Sequence, residues 1–361
     1  MSTITRVRGF ALIGLAAAAL GPSWAQGQVV VTNLHPPGML QSTARGVSSG
    51  GQVGIVHAPG PIARAYLWNG SAASGVDLTP SGALASEGRV SFGNRQGGAA
   101  FFSNLWHAGM WTGSAASWTD LHPTGSALGS YIKAMDGNQQ AGAALVGNVW
   151  SASVWSGTAA SWVNLNPSGS PESDATYAGN NQQAGWVKVG GANHASLWSG
   201  TAESWIDLNP AGSTWSAVQS GSGGLLGGFA RFDNVEQAGL WSGTAQSWVN
   251  LHPAGAVASY IVGMHDNVQV GFAQFGGVAH AGLWMGTAGS WLDLHPAGFV
   301  HSTATAAFSD GNQLSIVGYG MNSANVAQAL LWTMPAPAPG TGALLGMCGL
   351  MAVRRRRTRL A

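Results

Sequence analysis

Two short motifs recur along this chain with the same period but out of phase, and that offset limits the fold more than any other feature. A Trp that closes an apolar segment sits at Trp68, Trp111, Trp155, Trp198, Trp241, Trp284 and Trp332, at steps of 43, 44, 43, 43, 43 and 48 residues. An Asx-Leu-x-Pro element begins at Asn33, Asp77, Asp120, Asn164, Asp207, Asn250 and Asp293, at steps of 44, 43, 44, 43, 43 and 43 residues. There are seven of each. The series opens with Asn33-Leu34-His35-Pro36, before any repeat Trp, and closes with Leu331-Trp332, which no Asx-Leu-x-Pro follows.

A period near 43 residues suits a four-stranded blade of a β-propeller. One unit reads as four strands over Ser213–Gln219, Gly224–Arg231, Gln237–Trp241 and Ser247–Leu251, separated by Gly, Asn and Pro clusters. The last unit holds only three, over Thr303–Phe308, Leu314–Gly320 and Ala327–Trp332; Gln28–Leu34 at the other end supplies the fourth. The expected fold is all-β: a seven-bladed propeller over residues 26–333 whose N-terminal strand completes the last blade. Closure of this kind removes two free sheet edges.

The copy Leu197-Trp198-Ser199-Gly200-Thr201-Ala202-Glu203-Ser204-Trp205-Ile206-Asp207-Leu208-Asn209-Pro210 sets the register. A four-residue loop pairs Trp198 with Trp205, which share a face, and Ser196 with Asp207. Leu197, Ile206 and Leu208 point the other way, and both sets are expected in the core. In the first copy Gly75 replaces the second Trp, and Tyr66 is expected to fill the gap. At the position facing each Asx stands Gly109, Ser153, Ser196, Gly239 or Gly282. The small residue is expected to make room while the Asx side chain bonds nearby backbone. His35, His122, His252 and His295 share their slot with Thr79, Asn166 and Asn209, which fits a turn or cap role and not a metal site. His107, His194 and His280 recur ahead of the third strands and are expected along one rim. Arg64, Arg231 and Lys188 read as isolated charges.

The two ends differ from this body. Arg6 and Arg8, the apolar run Phe10–Leu20 and Ser23-Trp24-Ala25 form the three parts of a secretory signal, so residues 1–25 are expected to be removed after Ala25 following export by the Sec machinery. Seven of the 14 basic residues lie in the two ends, whereas all 13 acidic residues lie between Asp77 and Asp310. The body is therefore net acidic, which argues against a nucleic-acid partner. The one Cys, Cys348, leaves no internal disulfide to form.

Residues 334–361 carry Pro335, Pro337, Pro339 and Gly340, a short apolar stretch over Thr341–Val353, and Arg354, Arg355, Arg356 and Arg357. The stretch falls short of the ~20 residues of a relaxed spanning helix, and the arginines would stay cytoplasmic. This tail resembles the PEP-CTERM sorting signal that exosortases process, with Ala336 or Ala338 standing where that family usually has Glu. The resemblance implies transient membrane insertion, an exosortase-type processing enzyme as partner, and release or attachment at the cell surface; a plain C-terminal membrane anchor is the alternative. The body resembles the Trp-rich HAF-type extracellular repeats, a resemblance that brings no activity with it.

No Gly-x-Ser-x-Gly, phosphate loop or body Cys nucleophile points to catalysis, and no cofactor is implied. Glu172 with Asp174 and Asp233 with Glu236, all expected in loops, are the local acidic clusters that a carbohydrate-active enzyme would use. The leading expectation is a non-catalytic surface or matrix module, with extracellular polysaccharide as a possible ligand. Trp106, Trp150, Trp186 and Trp215 fall outside the paired positions and are the aromatic candidates for sugar contact.

Overall fold

A computed structural model describes residues 29–60, 62–125 and 127–337. Those residues fold as seven four-stranded antiparallel sheets arranged as a seven-bladed β-propeller. Blade 1 runs Gln41–Ser48, Gly51–Ala58, Ile62–Trp68 and Val76–Asp77 from the axis outward. Blades 2 to 6 repeat this order, with first strands Ala85–Phe92, Ala127–Asp136, Ser173–Gly179, Trp215–Ser222 and Ala258–His265. Blade 7 takes Phe299–Ser309, Gln313–Asn322 and Ala327–Pro335 from the end of the chain and Val30–Asn33 from its beginning. Val31 pairs with Trp332 and Asn33 with Leu330, so the 3+1 closure holds. The first strands of blades 1 and 7 pack together, completing the ring. The last strand reaches Pro335, and Ala336 N–H donates to Asn312 O, so the Pro-rich segment begins inside the blade. Ala25, Pro339, Gly340 and Arg354–Arg357, with the proposed leader and most of the tail, lie outside the described residues. Among the described residues no helix is long and apolar enough to cross a membrane.

The expected register holds. Ser196 faces Asp207, and Gly109, Ser153, Gly239 and Gly282 face Asp120, Asn164, Asn250 and Asp293. The turn between third and fourth strands is one 3-10 turn. In blade 4, Gly200 adopts φ +88°, a conformation that glycine enters without strain. Ser204 Oγ accepts from Ser199 N–H and donates to Thr201 O. The seven repeat Trp are fully buried. Each removes roughly 150–250 Å² from water, worth about 5 kcal/mol by area. In blades 2, 5 and 6 the second Trp packs on the first at ring separations of 4.6, 4.5 and 4.5 Å.

Two details differ from expectation. The small residue opposite Asx makes room for the second Trp and not for the Asx. A Cβ on Gly109 or Gly282 would lie 2.2 Å from the Trp118 or Trp291 ring, and Ser153 and Ser196 instead accept the Trp162 and Trp205 indole N–H. Blade 1 exchanges the two volumes: a Cβ on Gly75 would lie 2.2 Å from Tyr66, which fills the space. Ile206 is not core. It is 46% exposed, and Val76, Val163 and Val249 are exposed at the same position. The fourth strand lies at the circumference, where blades splay apart and one face meets solvent.

Neighbouring blades are joined by a repeated contact. Ser42, Ser86, Ser130, Ser173, Ser216, Ser259 and Ser302 are buried in the first strands. Each Oγ accepts a backbone N–H from the third strand of the preceding blade. The donors are Ala329, Ala65, Ala108, Ala152, Ala195, Ala238 and Ala281, at 2.8–2.9 Å. The Leu of each Asx-Leu-x-Pro then donates its N–H to that same alanine's carbonyl, as Leu208 does to Ala195 O at 2.7 Å. Ser216→Ala leaves the Ala195 N–H buried without a partner, at a cost of about 1–3 kcal/mol. A denaturant titration should show that loss, whereas Ser220→Ala in the same strand, whose hydroxyl makes no hydrogen bond among the described residues, should change stability by under about 0.5 kcal/mol.

Candidate functional site

Each Asx side chain closes an Asx turn: Oδ1 of Asn33, Asp77, Asp120, Asn164, Asp207, Asn250 and Asp293 accepts the N–H two residues on, at 2.7–2.8 Å. The residue after Leu then meets the serine of the next blade. Ser173 and Ser216 donate to Asn166 Oδ1 and Asn209 Oδ1, and those amides donate to Ser170 O and Ser213 O. His252 and His295 occupy the same geometry, with Nδ1 at 2.7 and 2.8 Å from Ser259 and Ser302 Oγ. Their Nε2 atoms lie 2.9 and 3.1 Å from Ala256 O and Phe299 O. A neutral imidazole that accepts at Nδ1 and donates at Nε2 is the equivalent of Asn, which explains why the two interchange.

The other histidines pair with the Asx carboxylates. His107, His194 and His280 place Nδ1 2.8, 2.8 and 2.7 Å from Oδ2 of Asp120, Asp207 and Asp293. Arg64 occupies the same slot in blade 1 and binds Asp77 at 2.8 Å. Where the Asx is Asn250 or Asn33, the partner is Gln237 or Gln328. Arg64 is therefore a repeat position and not an isolated charge. Lys188 and Arg231 are also paired, with Glu172 at 3.4 Å and Glu236 at 3.2 Å. Among the described residues no three His, Cys, Asp or Glu side chains group as a metal would require.

The acidic clusters do not assemble. Asp174 lies within a strand and is buried, contrary to the loop expected of it, where it accepts from Lys133 Nζ and from Tyr131 Oη at 3.0 Å. Burial and then this carboxylate push the Tyr131 hydroxyl well above its ordinary pKa. Asp233 sits in a tight turn at φ +50°, whereas Glu236 lies in the third strand of blade 5.

The four unpaired Trp fall on consecutive blades, 2 to 5, toward one end of the propeller. Trp106 and Trp150 are the second residues of third strands, Trp215 opens a first strand, and Trp186 faces Asp174. All four are half-buried. Three pack on aromatic neighbours: Trp106 on Phe101 at 5.3 Å, Trp150 on Tyr131 at 5.0 Å and Trp215 on Phe229 at 5.3 Å. Trp215 also lines a hollow of about 510 Å³ between blades 4 and 5, with Lys188, Asn193 and Arg231.

At the opposite end the axis opens as a cavity of about 940 Å³ lined by the first strands of all seven blades. Every first strand carries one extra residue there, a β-bulge that turns a side chain out of the ladder. The extra residues are Arg45, Arg89, Lys133, Thr176, Gln219, Val262 and Thr305. The sequence does not set these positions apart, because an insertion common to every copy leaves the period unchanged.

No protein-family model matches the chain, and no curated protein matches it. Similar solved structures include TolB from Acinetobacter baumannii, at 10% identity and TM-score 0.46, covering 71% of this chain and 64% of that one. The putative TolB from Agrobacterium tumefaciens is 9% identical with TM-score 0.46, covering 62% of this chain and 87% of that one. Trypanosoma rangeli sialidase in complex with sialic acid is 12% identical with TM-score 0.41, covering 90% and 61%. The chain spans about two thirds of the length of the first of these.

Burial holds His35, His122 and His295 below the ordinary histidine pKa, and the stacked imidazoles of His107 and His280 add to this at His122 and His295. The unfolded chain then takes up protons first as pH falls. Stability from these groups is full above about pH 6.5 and is lost as pH drops through 6.5 toward the folded value. His122→Asn with His295→Asn should keep the serine contacts, leave the melting temperature at pH 8 nearly unchanged and flatten its fall between pH 7 and 5. An unaltered slope in thermal melts would show that these rings do not carry the effect.

Proposed function

We propose that the chain is an exported, non-catalytic propeller, sorted to the cell surface or extracellular matrix, that acts as a polysaccharide-binding module. The carrying observation is the arc of Trp106, Trp150, Trp186 and Trp215, four half-buried indoles on consecutive blades at positions the repeat does not require. Indole faces suit sugar rings, and a row of weak contacts along a polymer adds up through effective concentration. The acidic residues a glycoside-active site would need are committed elsewhere: Glu172 to Lys188, Glu236 to Arg231, and Asp174 to Lys133 and Tyr131. Export and sorting rest on the leader ending at Ala25 and on the tail from Pro335 to Arg357. An exosortase-type enzyme would cut that tail after its transient insertion; retention as a membrane anchor is the competing outcome.

The test is binding of residues 26–337 to a panel of neutral and acidic polysaccharides. Trp106→Ala and Trp215→Ala should each lower affinity for one class about tenfold, given the ~1–3 kcal/mol of an aromatic contact, with far-UV circular dichroism unchanged. If no polysaccharide binds, and the chain instead self-associates with concentration, the structural reading replaces this one.

A further inference from the structure

The ring of bulge residues breaks the sevenfold pattern in a way that the rest of the propeller does not. The seven buried serines and the seven Asx residues keep one chemistry each, and the turn position holds an uncharged His, Asn or Thr partner for the serine. At the bulge, blades 1, 2 and 3 carry Arg45, Arg89 and Lys133, whereas blades 4 to 7 carry Thr176, Gln219, Val262 and Thr305. Three of the body's seven basic residues therefore stand side by side in one cavity, in a body with 13 acidic ones.

The neutral positions show what the bulge requires. Thr176 and Thr305 donate to Val218 O and Ala44 O of the next blade, at 2.7 and 2.8 Å. A short hydroxyl is enough to satisfy the joint, so the fold has no need of three long cations. Two of them have partners. Arg89 binds Glu87 at 2.7 Å and lies 4.7 Å over the Tyr131 ring, and Lys133 binds Asp174. Arg45 has none: among the described residues its guanidinium makes no ion pair or hydrogen bond. It lines the cavity with Arg89, Lys133 and Tyr319, whose hydroxyl also makes no hydrogen bond among the described residues. The carboxylate on the lining is Asp136, at the end of its strand; His265 is a further base. Burial and then Arg89 lower the Arg45 pKa, against a smaller opposing pull from Glu87, the carboxylate that Arg89 binds.

We propose that this end of the channel is an oxyanion site, in which the Arg45 guanidinium and the Tyr319 hydroxyl donate to a phosphate or carboxylate group while Arg89 and Lys133 supply the surrounding positive field. A planar guanidinium matches two oxygens of either group, and the partly enclosed cavity strengthens the attraction relative to open water. The site lies at the far end of the axis from the Trp arc and does not depend on polysaccharide binding there. A free phosphate or a terminal uronate would fit it, since each presents a pair of anionic oxygens that a guanidinium can bridge.

The test is isothermal titration of residues 26–337 with inorganic phosphate and, separately, with an oligouronate. Saturable phosphate binding at one site is expected, weakened at least about tenfold by Arg45→Gln, reduced less by Tyr319→Phe and unchanged by Arg64→Gln on the other rim. Loss of a partnerless guanidinium leaves no group stranded, so Arg45→Gln should melt at or above the parent temperature, and Arg45→Lys should retain part of the affinity. Oligouronate binding with the same Arg45 dependence would extend the site to acidic glycans; phosphate binding alone would restrict it to small oxyanions. Absence of saturable binding by either probe, or binding indifferent to Arg45→Gln, overturns the proposal. Because the Trp variants act at the opposite end, loss of polysaccharide binding in them leaves this result intact.

Discussion

Seven buried serine hydroxyls hold the blades in register with one another. Each accepts an alanine N–H from the blade before it and meets a His, Asn or Thr side chain in the turn between the two. That alanine sits on a third strand, whose inner edge is already paired; its N–H points outward, past the fourth strand, where a partner is hard to find. A serine from the next blade supplies it, so the hydrogen bonding of one blade is completed only by the next. The contact is directional, unlike the apolar packing of the repeat Trp, and it fixes how far each blade can slide along its neighbour. In blade 7 the chain of contacts returns to its start, because Ser42 of blade 1 binds Ala329 and Leu34 from the N-terminal strand binds the same residue's carbonyl.

Much of this was legible in the sequence. The out-of-phase motifs implied the number of blades and the closure, and the Trp198-to-Trp205 spacing implied the pairing of Ser196 with Asp207. The serine series is equally regular but not distinctive, since a small polar residue in a Gly- and Ser-rich chain does not stand out as Trp does. The pairing of Arg64 with Asp77 was also available: it has the same 13-residue separation as His107 with Asp120. Arg64 differs in type from the histidines of its slot, and its position alone identifies it. Alternation gives which face Ile206 takes, not whether a neighbour covers that face. Pro171 and Gly169 mask the start of the strand that holds Asp174.

The departures from symmetry are of two kinds. Some preserve the structure by exchange, as Tyr66 and Gly75 trade volumes and Asn166 stands in for histidine. Others serve no structural end that the alternative blades fail to meet with less. The Trp arc at one end of blades 2 to 5 and the basic arc at the other end of blades 1 to 3 are of this second kind. A uniform ring supplies rigidity, and chemistry confined to part of it can vary without disturbing the closure.

The most direct test of the account is amide hydrogen exchange across the seven alanines that donate to the serine ring, at positions 65, 108, 152, 195, 238, 281 and 329. If the serine contacts join the blades into one cooperative unit, these amides exchange together and only through global unfolding, with the same free energy as a denaturant titration reports. Exchange that proceeds blade by blade, or that opens Ala329 well ahead of the others at the closing joint, would contradict it.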